Sequence, residues 1–134
     1  VNMIIEIDFN SDEAIYLQLR NQIVFDIARE HIKDGDSLPS VRQLAVDLGV
    51  NMHTVNKAYT ILKQEGYLQL DRRHGAIISV NYEDVSQHYE NINESMKMIV
   101  AESICKGVSL EDLQKILTQT YEDFQNIKEL FDHN

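Results

Sequence analysis

Asn51, His53, Thr54, Asn56 and Lys57 fall within the seven residues of "NMHTVNK". Together they offer amide donors and acceptors, an imidazole, a hydroxyl beside a methyl group, and an ammonium. At the start of a helix these groups suit the edges of nucleic-acid bases. An asparagine amide pairs bidentately with adenine, a threonine methyl touches that of thymine, and imidazole or ammonium donates to guanine, each good bidentate pair discriminating by about 1–3 kcal/mol. Ser40 and Arg42 lie a little upstream. Downstream, Arg72, Arg73 and His74 run into Gly75 within "DRRHG", a cluster fit to grip phosphate or enter a minor groove.

Other chemistry has no comparable support. His31, His53, His74, His88 and His133 show no metal-ligand spacing with one another or with Cys105, and neither a phosphate-binding glycine loop nor a nucleophile elbow occurs. No catalytic residue, metal or cofactor is expected. Cys105, the single cysteine, sits among apolar positions of a predicted helix and is expected to be a small buried hydrophobe. The carboxylates of "EDVSQHYENINES" and "EDLQ" read as solvated helix faces.

The charge looks wrong for a ligand made of phosphates, because the 134 residues carry a formal net charge of −10. The acid is unevenly placed. Residues 1–80 hold 8 Lys/Arg against 11 Asp/Glu, a balance of −3, whereas residues 81–134 hold 4 against 11, a balance of −7. Between Leu38 and Gly75 the sign reverses, with five basic residues against three acidic ones. Screening over about 8–10 Å at physiological salt makes such nearby charges count most. An acidic tail turned away from DNA would also repel wrongly oriented encounters.

The elements that must position these residues follow from periodicity. Met3, Ile5, Ile7 and Phe9 alternate with polar positions as a short strand or extended arm. A helix is expected from about Ala14 to Lys33, with Leu17, Ile23, Val24, Ile27, Ala28 and Ile32 facing inward and "KDGDS" ending it. Ser40 caps a short helix to about Leu48, and Gly49 permits a tight turn. Asn51 caps a helix to Glu65 whose inward residues are Val55, Ala58, Tyr59 and Leu62, and "YLQL" and "AIISV" flank a charged hairpin tip. Helix, helix, helix, hairpin is the order of a winged helix-turn-helix.

Beyond residue 80 two amphipathic helices are expected, about Val85 to Lys106 and from Leu110 onward, separated by "KGVS". The fold class is therefore α+β: residues 1–80 a winged helix-turn-helix with an N-terminal arm, residues 81–134 an all-α hairpin. Two isolated helices bury too little to stand alone. Tyr89, Ile92, Met96, Leu117, Tyr121 and Phe124 are expected at or near a homodimer interface, where a twofold pair of chains presents two recognition helices to a palindromic site on double-stranded DNA. No apolar run approaches the roughly 20 residues that span a bilayer, and "VNMIIEIDFN" has acid where a signal peptide has base, so no membrane role and a cytoplasmic location are expected.

"LPSVRQLAVDLGVNMHTVNKAYTILKQEGYL", with "IYLQLRNQI" before it, resembles the DNA-binding domain of the GntR family of bacterial transcription regulators over about Ala14 to Val80. The resemblance implies DNA contact by Ser40, Arg42, Thr54 with its neighbours, and Gly75. It departs from the family pattern at Met52, where arginine is common; at Arg73, which takes the first glycine of a glycine-x-glycine wing; and at Glu30, where glycine is common and the effect should fall on the ending of the first helix. The asparagine-rich recognition start and the short tail are similar to the YtrA-type subfamily, which implies a dimeric repressor controlling its own operon and adjacent transporter genes. A small-molecule effector is left open, its identity unspecified by any residue. The alternative is a winged helix that docks protein, which the basic wing and Arg42 disfavour because such a surface would show apolar anchors.

Overall fold

The computed structural model describes residue 3, residues 5–80 and residues 85–132, with side chains as far as residue 126. Two compact units divide the chain, Val1–Asn81 and Tyr82–Asn134. The first contains α1 (Ile15–Ala28), α2 (Val41–Leu48), α3 (Met52–Gln64), β1 (Leu68–Asp71) and β2 (Gly75–Ile78). The strands form an antiparallel hairpin in which Leu68 faces Ile78 and Asp71 faces Gly75. This is a winged helix-turn-helix.

Local signals set the helix ends. The Ser40 hydroxyl accepts from the Gln43 N–H at 3.1 Å, capping α2, and the Asn51 side-chain oxygen accepts from the His53 N–H at 2.8 Å, capping α3. Between them Gly49 adopts φ +67°, the left-handed conformation that turns the chain sharply after α2. Leu44 and Ala45 from α2, Val55, Ala58, Tyr59 and Leu62 from α3, and Leu68, Ala76 and Ile78 from the hairpin close one core. The inward stripe expected for α3 is the one buried.

For α1 the expectation needs correction. The helix stops at Ala28 and not at Lys33, because Glu30 turns to φ +60° and the His31 N–H closes back on the Asp26 carbonyl at 2.9 Å. Leu17 and Ala28 are exposed, whereas Leu19, Ile23, Gln18 and Asp26 are buried. Polar residues thus occupy part of the inner face and obscure its period. Left-handed backbone costs a side-chain-bearing residue about 1–2 kcal/mol. Glu30→Gly is therefore expected to stabilise the first unit by roughly 0.5–1 kcal/mol, read as a higher urea midpoint at unchanged slope. A lower midpoint would mean that the glutamate's own contacts outweigh the strain.

The N-terminal segment is an arm and pairs with no strand among the described residues. Two glutamines of α1, one turn apart, hold it by imitating a strand edge. The Gln18 amide accepts from the Asp8 N–H at 2.9 Å and donates to the Asp8 carbonyl at 3.0 Å, and the Gln22 amide does the same for the N–H and carbonyl of Glu6. Met3, Ile5 and Ile7 pack on the core beneath. The segment before α2 runs along β2: the Leu38 N–H donates to the Ala76 carbonyl at 2.8 Å and the Ile78 N–H to the Asp36 carbonyl at 2.8 Å. At the far end of α3, the Arg20 guanidinium grips both Glu65 carboxylate oxygens, at 2.9 and 3.1 Å. The bidentate pair ties α1 to α3.

The second unit consists of α4 (Ser86–Lys106) and α5 (Leu110–Asp132). The chain reverses through Gly107 and Val108, and the Ser109 hydroxyl accepts from the Asp112 N–H at 3.1 Å. No residue of α4 is buried within the single chain. Cys105, expected inside, is exposed, because no described element covers its part of α4 within the single chain. No described helix is long and apolar enough to cross a membrane.

Candidate nucleic-acid interface

The sequence-derived candidates of the first unit occupy three places. Ser40 and Arg42 lie at the start of α2, Asn51 to Lys57 over the first two turns of α3, and Arg72 to Gly75 at the tip of the hairpin. All are exposed except Thr54, which is half-buried. The buried Tyr59 locks the first two places together: its hydroxyl, on the inner face of α3, donates to the Pro39 carbonyl at 2.7 Å, just ahead of the α2 cap. Burial pushes the Tyr59 hydroxyl's pKa well up, so it stays a neutral donor.

The groups differ in how free they are to meet a ligand. Among the described residues Arg42 has no ion-pair partner; nearby Asp47 is engaged by the Gln43 side-chain amide at 2.7 Å. The carbonyl oxygen of Asn51 is spent on its cap, which leaves its amino group outward. His53 and Asn56 are exposed. Lys57 stands apart, with its ammonium 3.9 Å from the centroid of the Tyr16 ring on α1, a cation–π contact that draws it back toward the body of the unit. Reaching a groove would cost Lys57 that contact, so it is less available than its position in the sequence suggests.

At the hairpin tip the organising residue is one that sequence reasoning passed over. The Asp71 carboxylate accepts from the Arg73 N–H at 2.7 Å and from the His74 N–H at 3.3 Å, and its second oxygen lies 3.3 Å from the His74 ring Nδ1. The Arg73 N–H first, and His74 after it, hold the Asp71 pKa below the usual carboxylate range. The sign follows: this support is complete above the ordinary aspartate pKa and is lost as pH falls through the lower folded value. An aspartate directly before a short hairpin turn, where its carboxylate can accept the N–H two residues on, is the signature that could have found it. Gly75, at φ +76°, supplies the left-handed residue that a three-residue hairpin loop needs; a Cβ there would meet no atom within 4 Å, so the constraint is conformational.

The dimer candidates lie on the second unit. Tyr89, Ile92, Met96, Leu117 and Tyr121 are exposed and Phe124 is half-buried. Around the turn, Met96, Ile99 and Val100 of α4 face Leu110, Leu113 and Leu117 of α5 across an apolar groove of about 350 Å³.

Residues 14–78 match the family of bacterial regulatory proteins named gntR. Over almost its whole length the chain is also similar to the HTH-type transcriptional repressor YtrA of Bacillus subtilis, 34% identical over 126 residues that cover 92% of this chain and 97% of the relative. The chain belongs to the GntR family. YtrA from Sulfolobus acidocaldarius, a GntR-family transcription factor, superposes with a TM-score of 0.64 at 35% identity, covering 76% of this chain and 98% of that one. A transcriptional antiterminator from Listeria monocytogenes shares the fold at a TM-score of 0.83 over 92% of this chain and 94% of its own, at 22% identity. Membership of this regulator family makes the chain a non-enzymatic protein, and the GntR match spans α1 to β2, the part that carries the exposed polar and basic groups.

Proposed function

We propose that this GntR chain is a homodimeric transcriptional repressor that reads a palindromic operator on double-stranded DNA. The observation that carries the reading is the pairing of an exposed polar first turn on α3 with the unpaired Arg42 on α2 and the arginines of the wing. A helix of this kind enters the major groove by its N-terminal end. His53, Thr54 and Asn56 then meet base edges, with the Asn51 amino group beside them. Ser40 and Arg42 meet the backbone or groove edge, and Arg72 and Arg73 grip phosphate or the minor groove. Similarity to a repressor over 97% of its length supports the sign of regulation. The reading extends, as the YtrA-type resemblance implies, to control of the chain's own operon and neighbouring transporter genes.

Dimerisation is supported by the second unit. Tyr89, Ile92, Met96 and Ile99 recur at three- and four-residue spacings along α4, and Leu110, Leu113 and Leu117 do so along α5. That is the seam of a helical bundle. Among the described residues, twelve of the eighteen exposed large apolar side chains lie between Val85 and Tyr121, against six in the longer first unit. Such a concentration of exposed apolar surface marks an interaction site. A footprint across the DNA upstream of its own gene tests the reading. Two protected major-groove patches about one helical turn, or a multiple of it, apart are expected. Uniform protection, or none, would refute operator reading and leave protein docking as the function of the winged helix.

A further inference from the structure

The wing sets two arginines beside an aspartate, an arrangement that simple charge counting would make self-defeating on a phosphate-binding surface. The geometry removes the conflict. Asp71 spends one carboxylate oxygen on two backbone N–H groups and the other on His74, and among the described residues neither Arg72 nor Arg73 has an ion-pair partner. We propose that Asp71 is a positioning residue for DNA binding: it fixes the loop of the wing so that the guanidinium groups of Arg72 and Arg73 are held out together. The inference rests on the operator reading above.

The physical need is clear from the loop. Three residues, Arg72 to His74, join β1 to β2, and arginine stands where a more permissive residue would turn easily. Without an acceptor at residue 71, the N–H groups of Arg73 and His74 would turn to water, and the three loop residues would sample more backbone conformations before meeting DNA. Ordering them in advance removes that entropy from the binding step. The strand pair Asp71–Gly75 and the left-handed Gly75 close the base of the loop. Among the described residues the carboxylate is what constrains its outer half.

The test turns on a reversal of sign. Removing a negative charge beside phosphate should by itself tighten DNA binding, whereas loss of positioning should weaken it. Asp71→Ala in the full chain is expected to weaken operator affinity about tenfold, the order of magnitude for loss of two modest hydrogen bonds. Asp71→Asn keeps an acceptor oxygen and should stay within about twofold of the parent. Amide-detected NMR should show the Arg72–His74 backbone more mobile in the alanine variant only, with the amide signals of the α1–α3 core unshifted. Alanine binding as tightly as the parent or tighter, or equal losses in both variants, would overturn the proposal. The double variant Arg72→Ala, Arg73→Ala separates the levels. If it binds operator normally, the wing reading has failed; if it weakens binding while Asp71→Ala does not, positioning alone has failed.

Discussion

A chain carrying Ile92→Glu and Leu117→Glu is expected to sediment as a monomer and to bind a two-half-site operator about 10²–10⁴-fold more weakly than the parent. The size follows from linkage, since a dimer's second recognition helix binds at a high effective concentration once the first is seated, and monomers lose that advantage. The placement follows from exposure. Both residues are exposed in the single chain, so glutamate there costs little until a second chain covers it, when a buried unpaired carboxylate becomes expensive. The core of the first unit contains neither residue, and its thermal unfolding should be unchanged. Sedimentation velocity and fluorescence anisotropy read the two effects separately. Persistence of the dimer in this variant would place the interface elsewhere; loss of the dimer with operator affinity intact would break the link between symmetry and binding.

Arg42→Ala is the second large effect expected, with the dimer left whole. Arg42 projects from the first turn of α2 without an ion-pair partner among the described residues, while Gln43 occupies Asp47, the nearest acid on the same helix. One guanidinium contact is worth about 1–3 kcal/mol, and a symmetric complex loses it twice, so operator affinity should fall by roughly 2–6 kcal/mol. A phosphate contact predicts that the salt slope shrinks and that operator and scrambled DNA lose affinity alike. A base contact predicts that discrimination between them narrows. Unchanged DNA affinity would mean that this surface does not face the duplex.

Legibility in the sequence tracked how simply each element is solved. The α3 segment was readable because its buried residues, Val55, Ala58, Tyr59 and Leu62, are all apolar at helical spacing and its cap is an asparagine. The inner face of α1 was not, since Gln18 and Asp26 are buried there in hydrogen bonds to backbone or a neighbouring histidine. Periodicity counts apolar residues and cannot see a polar group whose partner lies ten residues away. The same blindness hid the arm's attachment, which depends on glutamine amides behaving as a strand edge. The early end of α1 at Glu30 was signalled only by resemblance, as a missing glycine; the backbone turned to positive φ all the same. Of the candidate interface, the residue types on α3 were legible and their availability was not. Lys57 resting over Tyr16 and Asp71 ordering the wing are facts of three dimensions, although the aspartate's spacing to the turn was in plain view.

In the proposed complex two copies of this chain read one symmetric operator through α3. Fluorescence anisotropy of a labelled palindrome from the chain's own promoter, titrated at physiological salt with scrambled DNA as competitor, tests it most directly. Saturation at two chains per duplex is expected, with competition by the unlabelled palindrome but not by the scrambled sequence. Saturation at one chain per duplex, or equal competition by both DNAs, would contradict it.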